Sequence, residues 1–195
     1  EKMGTPGGVV LGQHCDLMEG LFQLRKRRGA LLSVRNIAAW KNNEAVPTSS
    51  ILKATEKICA QMIEWEQADE CFLFPSGMNA VVTLMELARR RCQSKQPKRF
   101  VAIGLLYTDT YSLLTMDKWR GGNGEPYFLN TDELGQLEEV LKDESVAGIV
   151  TESITNPLGE LPDIPRIQET AKRFEIPVIV DNTLAGPTNA QPLVW

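Results

Sequence analysis

Two periods of apolar residues alternate along most of this chain. Ile51, Ala54, Ile58, Met62 and Trp65 recur at helical spacing, and Pro47-Thr48 ahead of them is a good helix start. An earlier amphipathic stretch, Cys15 to Ala39, also reads as helix; glycines at 4, 7, 8 and 12 precede it and a polar loop through Lys41 to Glu44 follows. Cys71-Phe72-Leu73-Phe74 is a short, fully apolar run, the mark of a strand buried on both faces. It breaks at Pro75-Ser76-Gly77, and helical spacing resumes at Val81, Val82, Leu84, Met85 and Ala88. Phe100 to Ile103 predicts the next strand, followed by a helix around Tyr111 to Trp119 and a strand over Pro126 to Leu129. Thr131-Asp132-Glu133 opens a helix with Leu134, Leu137, Val140 and Leu141 on one side and Asn130 or Thr131 as its cap. Val146 to Val150 predicts a strand and Asp163 to Phe174 a helix, with Pro165 tolerated in its first turn. Val178 to Val180 predicts a fifth strand.

Strands and helices in this alternation predict a wound α/β sheet with helices over both faces. Ligands of open α/β sheets bind at the carboxyl ends of the strands. Four segments therefore become the places to look for function: Pro75 to Met78, Gly104 to Tyr107, Thr151 to Pro157, and Asp181 to Thr183.

Composition narrows the chemistry. A net charge of −4 argues against a nucleic-acid surface, and the basic run Arg25 to Arg28 reads as a solvated helix face. No apolar run approaches the roughly 20 residues that span a bilayer, and no signal peptide is visible. Cys15, Cys59, Cys71 and Cys92 are scattered, with no C-x-x-C pair, and His14 is the single histidine. That pattern predicts no metal site, fits a reducing cytoplasmic compartment, and makes Cys59 and Cys71 core residues. A lone histidine also leaves Ser-His or Cys-His hydrolysis with little to work with. The chemistry is expected to come from a cofactor.

The strand ends suggest which one. Ser76-Gly77-Met78 lies between a strand and a helix, where free N–H groups attract an anion such as phosphate; it is equally an ordinary glycine turn. Tyr107 offers a flat ring and a phenol, or simply caps the core. Asn156, held before Pro157, has an amide that can orient a ring oxygen. Asp181 ends an apolar strand, and a buried carboxylate needs a cationic partner or a role as cap or ion pair. Phosphate at a helix start, a ring on Tyr107, its nitrogen on Asp181 and its oxygen on Asn156 match the binding logic of pyridoxal 5′-phosphate (PLP).

Four segments also resemble one enzyme family. FPSGMNAV resembles the S-S-G-M-x-A turn of the Cys/Met-metabolism PLP enzymes, the group of cystathionine γ-synthase and the cystathionine and methionine lyases. LYTDTYSLL resembles their L-Y-G-G-T-Y segment, TESITNPLGELPDIPRI their E-x-P-x-N-P-x-x-x-x-x-D-I, and VIVDNTLAGPTNAQPL their V-V-D-N-T-x-x-x-P-x-x-x-P-L. The series runs in the family's order from about Pro47 to Leu193. The resemblance implies a three-layer α/β/α sandwich with a mostly parallel sheet, the large-domain part of a fold-type-I PLP-dependent transferase. It implies an N-terminal arm and inter-subunit helix over residues 1–46 and an incomplete PLP-binding domain over 47–195. Gly77 and Met78 would give N–H groups to the phosphate with Ser76 beside them. Tyr107 would stack on the ring and help activate substrate or leaving group, while Asn156 and Asp181 would meet the ring oxygen and nitrogen.

The family is usually a homotetramer built as a dimer of dimers, acting on small amino-acid substrates. Two departures stand out. Where family members carry a Y-x-R pair, this chain reads WKNNEAVPT, placing Lys41 and Asn43 at the matching positions. The Schiff-base lysine belongs to an S-A-T-K motif expected after Trp195, so the chain reads as an excerpt of a longer enzyme, or half of a split one, inactive by itself. The leading expectation is a cystathionine γ-synthase-like replacement on an activated homoserine. A lyase and a non-catalytic homologue, regulatory or scaffolding, stand as alternatives. A nucleotide site at Arg120 to Gly124 is disfavoured, having neither a Walker lysine nor a G-x-G-x-x-G turn after a strand.

Overall fold

A computed structural model describes residues 71–116 and 123–192, with Asn42, Thr55 and Lys57 singly. The expected arm and helices before residue 71, the Lys41 and Asn43 positions, and His14, Cys15 and Cys59 lie outside the described residues.

Within the described part, α1 (Gly77–Arg91) leads into β1 (Arg99–Ile103), α2 (Thr108–Thr115) and β2 (Tyr127–Leu129). A 3-10 turn over Leu134–Gln136 runs into a single helical turn, α3 (Leu137–Val140). Then come β3 (Val146–Glu152), α4 (Ile164–Arg173), β4 (Val178–Asp181) and a last turn, α5 (Gly186–Asn189). All strand pairs are parallel, in the order β2-β1-β3-β4.

Period-2 alternation in β1 assigns residues to the two faces. Phe100 and Ala102 join Val81, Met85 and Ala88 of α1 on one side. Val101 and Ile103 join Leu137 of α3 and Ile167 and Ala171 of α4 on the other. β3 is buried along its whole length, as a central parallel strand must be. The described part is thus helix, sheet and helix in three layers.

The helix ends follow local rules. The Ser76 hydroxyl caps α1 by accepting the Asn79 N–H at 3.2 Å, and Arg89, Arg90 and Arg91 fill its last turn, where positive charge suits the helix dipole. The Asp163 carboxylate caps α4 through the Arg166 N–H at 3.1 Å, with Pro165 in the first turn as expected.

Several expectations are corrected. Cys71 to Phe74 forms no strand; Phe72 is 68% exposed and Cys71 is half-buried rather than core. A four-residue apolar run signals affinity for burial without specifying a partner, and periodicity alone cannot supply one. The helix after β1 starts three residues earlier than expected and ends when Met116 turns extended (φ −84°, ψ 122°). The expected helix from Thr131 is broken into a turn and α3, with Gly135 inside the weak segment. Neither Asn130 nor Thr131 caps it; instead the Glu133 carboxylate accepts the Asn130 N–H at 2.7 Å. β3 runs two residues past Val150, so Thr151 and Glu152 belong to the sheet and not to the loop. Gly124, the described end of the disfavoured nucleotide segment, packs against Pro97 and Arg99 at the amino end of β1.

Candidate functional site

β1 has β2 on one side and β3 on the other, so the connections leaving β1 and β3 diverge, and a crevice opens between their carboxyl ends. Three chain segments meet there. After Ile103 the chain turns at Gly104 (φ +71°), where an added Cβ would sit 2.9 Å from Thr155 Cγ2. This position requires glycine for its backbone and for its neighbour. Leu106 is buried and anchors the loop, and Tyr107, 40% exposed, begins α2.

After β3 the loop is closed by hydrogen bonds from the Thr155 N–H to Glu160 O (3.0 Å), the Gly159 N–H to Thr155 O (2.7 Å) and the Glu160 N–H to Thr155 Oγ1 (3.0 Å). Asn156 sits inside that loop, joined to Pro157 by a cis peptide. β4 ends at Asp181, whose Oδ1 accepts the Thr183 N–H at 3.0 Å and the Thr183 hydroxyl at 2.5 Å.

A cavity of about 210 Å³ lies between these segments and the start of α1. Gly77, Met78, Tyr107, Asn156 and Asp181, all singled out from the sequence, line it together. Ser76 stands just outside, its hydroxyl oxygen occupied in capping α1. Three further residues line it: Glu152 and Thr183, which lie in segments marked from the sequence but were given no role there, and Leu184, which was not marked. Glu152 had a readable signal. Like Asp181 it is a carboxylate closing an apolar strand, and the two are register partners across β3 and β4.

The cavity is polarised. At one end the N–H groups of Gly77 and Met78 open the first turn of a 15-residue helix, where backbone donors have no intrahelical acceptor. A Cβ added at Gly77 would meet nothing within 4 Å, so a ligand can approach its N–H closely. At the other end stand Asp181 and Glu152, with no lysine, arginine or histidine among the described lining residues. Burial pushes the Glu152 carboxyl above its ordinary value, and the charge of Asp181 adds to the push. The N–H groups of Tyr107 and Asn156 pull the other way without cancelling it. A ligand anionic at one end and cationic at the other fits this polarity. PLP is such a molecule, carrying a phosphate arm and a protonated ring nitrogen at separate positions of one ring. The residues present fit the group.

Several known proteins are similar to this chain. The chain is 30% identical over 147 residues to a cystathionine gamma-synthase of Haemophilus influenzae, covering 75% of this chain and 36% of that protein. It is 30% identical over 149 residues to a cystathionine gamma-lyase of Bacillus subtilis, covering 76% and 36%. A Campylobacter jejuni structure assigned as an O-acetylhomoserine (thiol)-lyase, carrying a pyridoxyl-lysine phosphate, superposes with a TM-score of 0.50 at 26% identity. That superposition covers 59% of this chain and 26% of the other. The chain spans about a third of the length of the curated relatives just named. The model of the Cys/Met metabolism PLP-dependent enzymes matches residues 45–195, and the chain belongs to that family.

Proposed function

We propose that this chain forms the cofactor cradle of a PLP-dependent enzyme acting on sulfur-containing amino acids. The observation that carries the reading is the polarised cavity, with free helix N–H groups facing a strand-end carboxylate. Gly77 and Met78 bind the phosphate through their N–H groups, and Ser76 fixes that helix start by capping it. The Tyr107 ring covers one face of the cofactor, and its phenol is placed to hold or pass a proton at the substrate. The Asn156 amide meets the ring hydroxyl oxygen. Asp181 holds the proton on the ring nitrogen, with Thr183 occupying Oδ1 and so orienting Oδ2. Bound there, PLP supplies an electron sink for the pair released at the substrate α-carbon.

For the whole protein we favour replacement, joining an activated homoserine to cysteine, on the likeness to the Haemophilus synthase. The Bacillus lyase, at the same identity, supports elimination as the second reading. A cytoplasmic homotetramer, with the arm of residues 1–46 between subunits and a cofactor lysine in an S-A-T-K context beyond the chain, completes the proposal.

The test uses pyridoxamine 5′-phosphate, which lacks the aldehyde that condenses with surface lysines. Titrated into the full chain and followed by intrinsic fluorescence, it should bind saturably and be displaced by PLP. Absence of saturable binding would falsify the reading. Assay of the longer enzyme with cysteine and an activated homoserine separates the two reactions: cystathionine marks replacement, and a keto acid with ammonia marks elimination.

A further inference from the structure

Glu152 is the one polar residue among the described cavity lining to which the proposed chemistry gives no task. It is 5% exposed, ends β3, and stands beside Asp181 in register. Its Oε1 accepts the backbone N–H of Tyr107, and the backbone N–H of Asn156 also favours its charged form. Those two residues lie on different loops, one leaving β1 and one leaving β3. α2 has no side-chain cap of its own, so its start is held from across the sheet by this carboxylate. A glutamine could accept a backbone N–H without bringing a buried charge next to a like charge. The charged residue is the costlier choice for mere packing, and such choices concentrate at functional sites.

We propose that Glu152 is a positioning residue of the cofactor site, holding the Tyr107 ring and the Asn156 amide in place through their backbones. The inference rests on the cofactor reading above. One buried carboxylate binds the N–H of Tyr107 on one loop and is favoured in its charged form by the N–H of Asn156 on the other, so it sets the separation between the group that covers the ring and the group that meets its oxygen. The charge suits two converging donors. In Glu152→Gln one oxygen still accepts, but the amide NH2 is turned against the second N–H, and one loop is released. Among the described residues, the titratable groups that line the cavity with Glu152 are Asp181 from β4 and Tyr107; α1 contributes Gly77 and Met78, which do not titrate.

A double-mutant cycle on the full chain tests this, read as the affinity for pyridoxamine 5′-phosphate. Glu152→Gln should weaken binding about tenfold when Tyr107 is present and about twofold or less in a Tyr107→Ala background. Equal losses in both backgrounds overturn the proposal, since Glu152 would then not act through Tyr107. Should Glu152→Gln not fold, the wild-type chain gives the answer by NMR with 15N-tyrosine, the signal assigned through Tyr107→Phe. The Tyr107 amide shift should follow a carboxyl titration above the usual glutamate range, and an amide indifferent to pH overturns the idea. If the wild-type chain binds no pyridoxamine phosphate, the cofactor reading falls and this role falls with it. If it binds and the cycle is additive, only the role of Glu152 falls.

Discussion

Carboxylates stand at both ends of this sheet, under opposite conditions. At the amino end, Asp143 is surrounded by donors: the Tyr127 hydroxyl at 2.8 Å, the Ser145 N–H at 2.8 Å and the Arg99 guanidinium at 3.8 Å. Burial works against its charge, yet the Ser145 N–H, the Tyr127 hydroxyl and Arg99 together hold it below the usual range. At the carboxyl end, Glu152 and Asp181 sit side by side with no basic residue among the described residues that line their cavity. There burial and the like charge win over the backbone donors, and Glu152 is pushed up. The contrast separates two uses of a charge in a fold. A carboxylate whose partners are all protein groups ties elements together. A carboxylate left short of positive charge reserves a place for a ligand that brings it.

The comparison can be broken at several points. The largest effect is expected at Asp181. Asp181→Ala should weaken binding of pyridoxamine 5′-phosphate about a hundredfold, as for loss of a charge-assisted bond, while the melting temperature holds or rises. Calorimetric titration and thermal unfolding of the same protein check both halves. An Asp181→Ala protein that binds normally would remove the carboxyl end from the ligand class altogether.

Next comes Gly104, which shows that the ligand end also carries a structural constraint. Gly104→Ala should cost about 1–3 kcal/mol in urea unfolding, because of its positive φ and the close approach of Thr155. Tyr127→Phe, at the amino end, should cost about 1 kcal/mol through loss of the bond to Asp143 and leave ligand affinity unchanged. Loss of affinity in this variant would mean that the two ends are coupled.

The smallest effect is the pH dependence of stability, and its sign differs between the ends. Glu152 in the folded chain keeps its proton above the ordinary value of 4.5. Between that value and its raised one, the folded state binds more protons than the unfolded state, so this group's contribution falls as pH rises. Asp143 loses its proton below the ordinary 3.8, so its contribution is present above that value and lost as pH falls through the lowered one. Glu152→Gln should therefore flatten the first slope and Asp143→Asn the second, as read from unfolding midpoints across pH. The second slope is softened by solvent, because Asp143 is a third exposed.

Most of the element order could be read from the chain. The central strand β3 begins as a continuous apolar run, Val146 to Val150, and α4 shows its buried face at Ile164, Ile167 and Ala171 in helical steps. Such periods are local, so the sequence displays them directly. Cys71 to Phe74 shows where that stops, for the run carries the composition of a strand yet is exposed beside the start of α1. The site was legible to a similar depth. Gly77, Met78, Tyr107, Asn156 and Asp181 were marked by lying just past a strand, and all five line one cavity. Glu152 fell in a marked segment but received no role, because β3 was read two residues short, which put its end in the loop and hid its likeness to Asp181.

By itself, then, the sequence determined which residues follow each strand and what chemistry each can offer, since that information lies within a few neighbouring positions. Only the tertiary structure decided that the strands lie in the order β2-β1-β3-β4, which places the ends of β1, β3 and β4 against one another. That order is set by burial of both sheet faces under helices that are distant in sequence, and no local pattern encodes it. The pairing of Glu152 with Asp181, and its hold on two separate loops, exist only once the sheet has assembled.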